Sequence, residues 1–191
     1  MHELQDRIEA EGENLGKGIL KIDSFLNHRV DAALMAKVGR EIESTFRECE
    51  PSLILTAEVS GIVPAVMVAL ALDNLPVVYA RKHKPITMRE PVYVEIAPSH
   101  TKGNEVNLMV SPEFLSKEHR VLIVDDFLAS GKTIEALARI VENAGATLVG
   151  IATVVEKSFE GGRELLSHWG VPIKAMATIT DMSDGGIVVR R

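Results

Sequence analysis

The stretch Val121-Leu122-Ile123-Val124-Asp125-Asp126-Phe127-Leu128-Ala129-Ser130-Gly131-Lys132-Thr133 decides the fold. Its first four residues are apolar, as in a strand buried on both faces. Asp125 and Asp126 follow at the strand's carboxyl end, then the small residues Ala129, Ser130 and Gly131, and then a helix expected over Lys132–Asn143. Strand, polar loop and helix in that order make the repeating unit of parallel sheets. Ser130-Gly131-Lys132-Thr133 also ends the triphosphate P-loop, which needs a glycine five positions before its second glycine. That position is Asp126, beside a second carboxylate, so the triphosphate reading is excluded.

Working outward, Leu34, Val38, Ile42 and Phe46 recur at helical spacing, and Asp31 is placed to cap a helix over Asp31–Arg47. Leu53–Thr56 reads as a short buried strand, Pro64–Leu72 as a helix with proline near its start, and Val77–Ala80 as a strand. From Val92 the apolar residues alternate (Val92, Val94, Ile96, then Val106, Leu108, Val110) around the polar run Pro98–Asn104, which predicts a hairpin. Strands Val121–Val124, Leu148–Val155 and Ile173–Ile179 alternate with helices Lys132–Asn143 and Arg163–Trp169. The expectation is an α/β fold, a central parallel sheet flanked by helices, over a single domain at 1–191. In such sheets ligands collect at the carboxyl ends of the strands.

Composition narrows the partners. Of 191 residues, 46% are hydrophobic and 25% charged, enough to bury a sizeable core. The one cysteine, Cys49, excludes an internal disulfide and fits a reducing compartment, so a cytoplasmic location is expected. The first sixteen residues lack the apolar core of a secretion signal and read as a short surface helix. Leu53–Leu72 approaches the length of a membrane span, but Glu58, Ser60, Gly61 and Pro64 interrupt it; no membrane partner is expected. A net charge of −6 argues against nucleic acid, with one local exception in the basic run Arg81-Lys82-His83-Lys84.

The opening loop has a chemistry of its own. Small residues let backbone amides approach an anion, and the helix dipole favours negative charge there. The two carboxylates suit either sugar hydroxyls or a hydrated magnesium ion. Carboxylates for the hydroxyls and amides for the phosphate together describe a ribose 5-phosphate site.

With these residues in hand, Val121–Thr133 resembles the phosphoribosyl pyrophosphate (PRPP) signature of type I phosphoribosyltransferases. The commoner form has two glycines before the threonine, and here Lys132 replaces the second. Lys21–His28, Glu58–Ile62, Tyr79–Lys84 and Val155–Phe159 extend the likeness to the bacterial xanthine phosphoribosyltransferases, from residue 21 to residue 159. The resemblance implies a type I phosphoribosyltransferase fold with a flexible hairpin lid and a small hood. It implies transfer of phosphoribosyl from PRPP to xanthine, with magnesium carried on PRPP rather than by assigned protein ligands, usually in a homodimer.

Site residues carried over from the resemblance are Asp125 and Asp126 as catalytic acids gripping the ribose, and Ala129, Ser130, Gly131, Lys132 and Thr133 around PRPP. Val59, Ser60 and Gly61 would meet pyrophosphate with their amides, and Arg81, Lys82 and Lys84 with their charge, some across the dimer interface. Leu20, Asn27 and Lys157 would face the purine, with Phe127 or Phe159 stacked on it. Val92–Val110 would be the lid.

Each assignment has a plainer rival. Arg81–Lys84 alone is a solvated turn, Asn27 a turn residue, Lys157 a surface lysine, and Glu58 a structural hydrogen-bond acceptor in an apolar run. Among functions, the rivals are adenine phosphoribosyltransferase and a non-catalytic PRPP-sensing regulator.

Overall fold

The computed structural model describes residues 1–98 and 105–191. The chain begins with α1 (His2–Glu11), β1 (Glu13–Asn14), β2 (Leu20–Lys21) and a single wide helical turn at Asp23–Asn27. Next come α2 (Ala32–Phe46), β3 (Leu53–Ala57), α3 (Ile62–Ala71) and β4 (Val77–Ala80). The hairpin is β5 (Tyr93–Pro98) and β6 (Glu105–Val110), and β7 (Arg120–Leu128) leads to α4 (Lys132–Asn143). The series closes with β8 (Thr147–Lys157), α5 (Gly162–Leu166), β9 (Ile173–Asp181) and β10 (Val188–Val189).

The main sheet has the order β10-β9-β8-β7-β3-β4, parallel throughout except for the terminal β10. Period-two burial builds a core on each face. Ile54, Leu122 and Val124 point to the layer of α1, α2 and α3, whereas Leu53, Leu55, Val121 and Ile123 point to that of α4 and the hairpin. Asp31 caps α2 by accepting the Leu34 N–H at 3.0 Å. Pro64 lies in the first turn of α3, where its missing N–H leaves no intrahelical bond unmade. Leu53–Leu72 thus divides into strand, loop and helix, and no described helix is long and apolar enough to cross a membrane.

Three elements differ from the reading of the sequence. Helix α1 is not merely a surface helix: Leu4 and Ile8, one turn apart, are fully buried. Strand β7 runs four residues past Val124, because its edge toward β8 stays paired through Leu128↔Glu156. Asp125 and Asp126 therefore belong to the strand rather than to the loop.

The third concerns the expected lid. The hairpin arms are packed, with Ala97, Leu108 and Val110 buried against the α4 layer and Asn143 donating to Glu95 at 2.7 Å. Arg81 and Met109 exchange backbone hydrogen bonds at 2.9 Å, tying β6 to the chain just after β4. The polar tip at 99–104 lies outside the described residues.

Candidate active site

Sheet order reverses its direction of growth between β3 and β7: the chain adds β4 on one side, then β7, β8 and β9 on the other. A crevice opens at such a switch point. Here β3 and β7 pair only over Leu53–Leu55 and Val121–Ile123, after which they part. Asp125 and Asp126 lie just beyond the last pair, on the β7 side. The loop from Glu58 to Gly61 rises on the β3 side.

A cleft of about 550 Å3 occupies this opening. Asp125 and Asp126 line it with Ala129, Gly131 and Thr133 of the loop before α4. Ser60 and Lys82 line the side of β3 and β4. Leu20, Asn27, Phe127 and Lys157 close the remaining wall, so residues distant in the chain converge here. A larger groove of about 630 Å3 runs along β4 past Tyr79, Met88 and Phe114. Its lining is chiefly apolar and its arginine, Arg81, is held by Glu58, so the smaller cleft carries the chemistry.

Asp125 is almost completely buried, and burial, reinforced by the charge of Asp126, pushes its carboxyl well above the usual carboxylate range. Its Oδ1 accepts the Asp126 N–H at 3.0 Å, and Lys82 opposes the shift by its charge. Asn27 donates to Asp126 Oδ2 at 3.2 Å, linking the N-terminal hood to the acid pair.

The two loops at the mouth of the cleft present unpaired main-chain donors. Gly131 has φ +77°, a value glycine reaches without strain, and no side chain caps α4 behind it. Among the described residues, the main-chain N–H groups of Ser130, Gly131 and Lys132 donate no hydrogen bond within the protein. Ser130 Oγ is buried with no partner there either. Val59, Ser60 and Gly61 likewise keep their main-chain N–H groups free in the loop before α3. Unpaired amides at two helix starts suit two separate anionic groups.

Four side chains named from the sequence lie elsewhere. Lys132 lines a depression with Val94, Glu95 and Ile96 on the hairpin side, because the first turn of α4 directs it outward; contact with a ligand in the cleft would come from its main chain. Arg81 lines the groove along β4 rather than the cleft, and its charge is paired with Glu58 at 2.7 Å. Lys84 is paired with Glu90 and does not line the cleft. Phe159 borders a separate depression beside Leu15 and Met182, which leaves Phe127 as the aromatic ring in the cleft.

Glu58 acts as the acceptor its apolar surroundings call for, receiving the Lys82 N–H at 2.6 Å as well as the Arg81 pair. The reading of the sequence missed Glu160 and Gly18. Lys157 donates to the Gly18 carbonyl at 2.9 Å and pairs with Glu160. The spacing Lys157–Glu160 was visible, but nothing in it pointed to a carbonyl 139 residues away.

Comparisons with known proteins agree with this geometry. The family described as "Phosphoribosyl transferase domain" matches residues 27–171. A xanthine phosphoribosyltransferase of Deinococcus deserti is 45% identical over 99% of this chain and 97% of its own. One of Latilactobacillus sakei is 43% identical over 98% and 96%. Among solved structures, APRTase from Giardia lamblia complexed with 9-deazaadenine superposes with a TM-score of 0.76 at 20% identity, covering 93% of this chain and 98% of that one. Adenine phosphoribosyltransferase from Rhodothermus marinus gives 0.73 at 24% identity, over 94% and 100%. At those identities the likeness speaks for the fold alone. The switch-point cleft, its acid pair and the full-length relatives lead to one conclusion: the chain belongs to the xanthine phosphoribosyltransferase family, within the type I phosphoribosyltransferases.

Proposed function

We propose that the protein transfers the 5-phosphoribosyl group of PRPP to xanthine, giving xanthosine 5′-monophosphate and pyrophosphate in purine salvage. The carrying observation is the buried Asp125 beside Asp126, set between two loops of unpaired amides. A purine nitrogen forms the bond to the anomeric carbon as the carbon–oxygen bond to pyrophosphate breaks. The electron pair leaves with pyrophosphate, and the proton of the purine nitrogen passes to water. Such centres pass through oxocarbenium character, so alignment and charge stabilisation do most of the catalytic work.

In this scheme Asp125 and Asp126 accept hydrogen bonds from the ribose hydroxyls, and the loop Ala129–Thr133 holds the 5′-phosphate. The amides of Val59, Ser60 and Gly61, with Lys82, receive pyrophosphate. Asp125 and Asp126, adjoining carboxyls in the cleft, would be the residues to receive a hydrated magnesium ion carried with PRPP. When bound with PRPP, it supplies neutralisation of the departing charge. A homodimer and a cytoplasmic location complete the proposal, and light scattering checks the first.

Lys157 selects the purine. Of its three N–H bonds, one meets Gly18 and another Glu160, leaving a donor for a carbonyl oxygen of an oxopurine. Adenine would bring an amino group instead. Lys157→Ala is expected to lower the preference for xanthine over adenine by about tenfold or more, with the KM for PRPP unchanged. An unaltered preference would remove Lys157 from this role. Pyrophosphate release from PRPP, magnesium and each of xanthine, guanine, hypoxanthine and adenine tests the whole assignment. Xanthine is expected to be the best substrate; adenine in that place, or no release at all, would refute it.

A further inference from the structure

The loop that holds the 5′-phosphate does not support itself. Its underside rests on the first turn of α5, a segment the reaction scheme leaves unused. The Gly162 N–H donates to the Ala129 carbonyl at 3.0 Å, turning that oxygen onto α5. A Cβ on Gly162 would meet that oxygen at 2.3 Å, Gly131 N at 2.7 Å and the Leu128 side chain at 2.7 Å. From the other side, a Cβ on Gly131 would lie 2.9 Å from Gly162 Cα. The two glycines are in backbone-to-backbone contact. Gly162 is not at positive φ, so its own conformation would accept any residue, and only the loop above forbids one.

The supporting turn is itself anchored at both ends. Arg163 grips the buried Glu156 of β8 with Nε at 2.8 Å and Nη2 at 2.7 Å, and its Nη1 donates to the Ile173 carbonyl of β9 at 2.8 Å. Beyond α5, Trp169 Nε1 donates to Glu135 of α4 at 2.7 Å. Thus the turn is fixed to the sheet on one side and to the helix that begins at the phosphate loop on the other. A planar guanidinium fork on a buried carboxylate sets orientation as well as distance.

We infer that the first turn of α5 is a strut that sets the height and orientation of the phosphate loop. Gly162, Arg163 and Glu156 are positioning residues for the 5′-phosphate, acting through Ala129 and Gly131. The inference rests on the proposed function, since it takes this loop as the 5′-phosphate site. Displacing the loop costs contacts to the phosphate alone, because the pyrophosphate loop stands on β3, across the cleft.

Two ligands separate the consequences. By calorimetry, Gly162→Ala is expected to weaken ribose 5-phosphate about tenfold and to leave magnesium pyrophosphate unchanged, since a sub-ångström misplacement of binding groups has effects of that order. The KM for PRPP should rise while that for xanthine stays put. Arg163→Lys keeps a charge on Glu156 but loses the fork; a smaller loss, about threefold, with the same selectivity is expected. Should Gly162→Ala fail to fold, Arg163→Lys decides by the same criterion. Equal weakening of both ligands, or of neither, overturns the strut. Wild-type protein that binds pyrophosphate but no ribose 5-phosphate overturns the functional reading itself, and the strut with it.

Discussion

Asp126→Asn and Asp125→Asn are each expected to lower kcat/KM by about a hundredfold or more with the fold intact, because each replaces an acid by an amide on the wall proposed to hold the ribose. The two variants then diverge in stability. Burial and the charge of Asp126 raise the Asp125 pKa, so the folded protein holds this proton more tightly than the unfolded chain does. The stability from that group is fully present below the unfolded pKa, about 3.9, and is lost as pH rises through the raised folded value. Asparagine cannot ionise and escapes that loss, while its side-chain oxygen can still accept the Asp126 N–H. Asp125→Asn is therefore expected to exceed wild type in stability at pH 8 by on the order of 1 kcal/mol, about 2–4 °C in Tm. The advantage should shrink toward pH 5. Thermal melts at both pH values check this; a variant no more stable than wild type at pH 8 would mean that Asp125 is not strained by ionisation.

Gly61→Ala carries the second large effect. A Cβ there would stand 2.3 Å from Thr56 Oγ1, 2.4 Å from Asp125 Oδ1 and 3.2 Å from the Ala57 carbonyl. Thr56 is fully buried and Asp125 nearly so, hence neither can swing into solvent. The loop must lift, taking the Val59, Ser60 and Gly61 amides from their place, or Asp125 must turn. Overpacking of this kind costs about 1–3 kcal/mol of stability. Activity should fall further than that, by about a hundredfold, because the proposed pyrophosphate and ribose contacts would move together. Gly61→Ala with near wild-type turnover would show that the loop has freedom the packing denies it. The same contact explains why Gly61 matters when its φ is ordinary: it is the point where the loop after β3 meets the buried acid of β7.

Much of this was legible from the residues in order. Val121–Val124 and Leu53–Thr56 are so apolar that only strands buried on both faces accommodate them, and α4 starts and stops where Lys132 and Asn143 suggested. The acid pair and the small-residue loop named the cleft because strand, loop and helix are consecutive in the chain. The N-terminal helix was harder: with Leu4 and Ile8 among charged residues, its inner face is too narrow to distinguish from a surface helix. The extent of β7 was hidden as well. Asp125 and Asp126 look like loop residues until β8 is beside them to complete the ladder.

Among the basic residues the sequence was least decisive. Arg81, Lys82 and Lys84 are nearly adjacent, yet Glu58 holds Arg81, Glu90 holds Lys84, and Lys82 lines the cleft. No local pattern separates them, because the partner of Arg81, Glu58, lies in the loop after β3. Local order along the chain, which governs periodicity, capping and loop chemistry, is sufficient to specify the elements and the acid-and-amide crevice. Which lysine faces the ligand, how high the Asp125 pKa stands, and why Gly61 and Gly162 admit no side chain depend on contacts between remote segments. Those follow from burial and close approach, and they exist only once the sheet has brought the segments together.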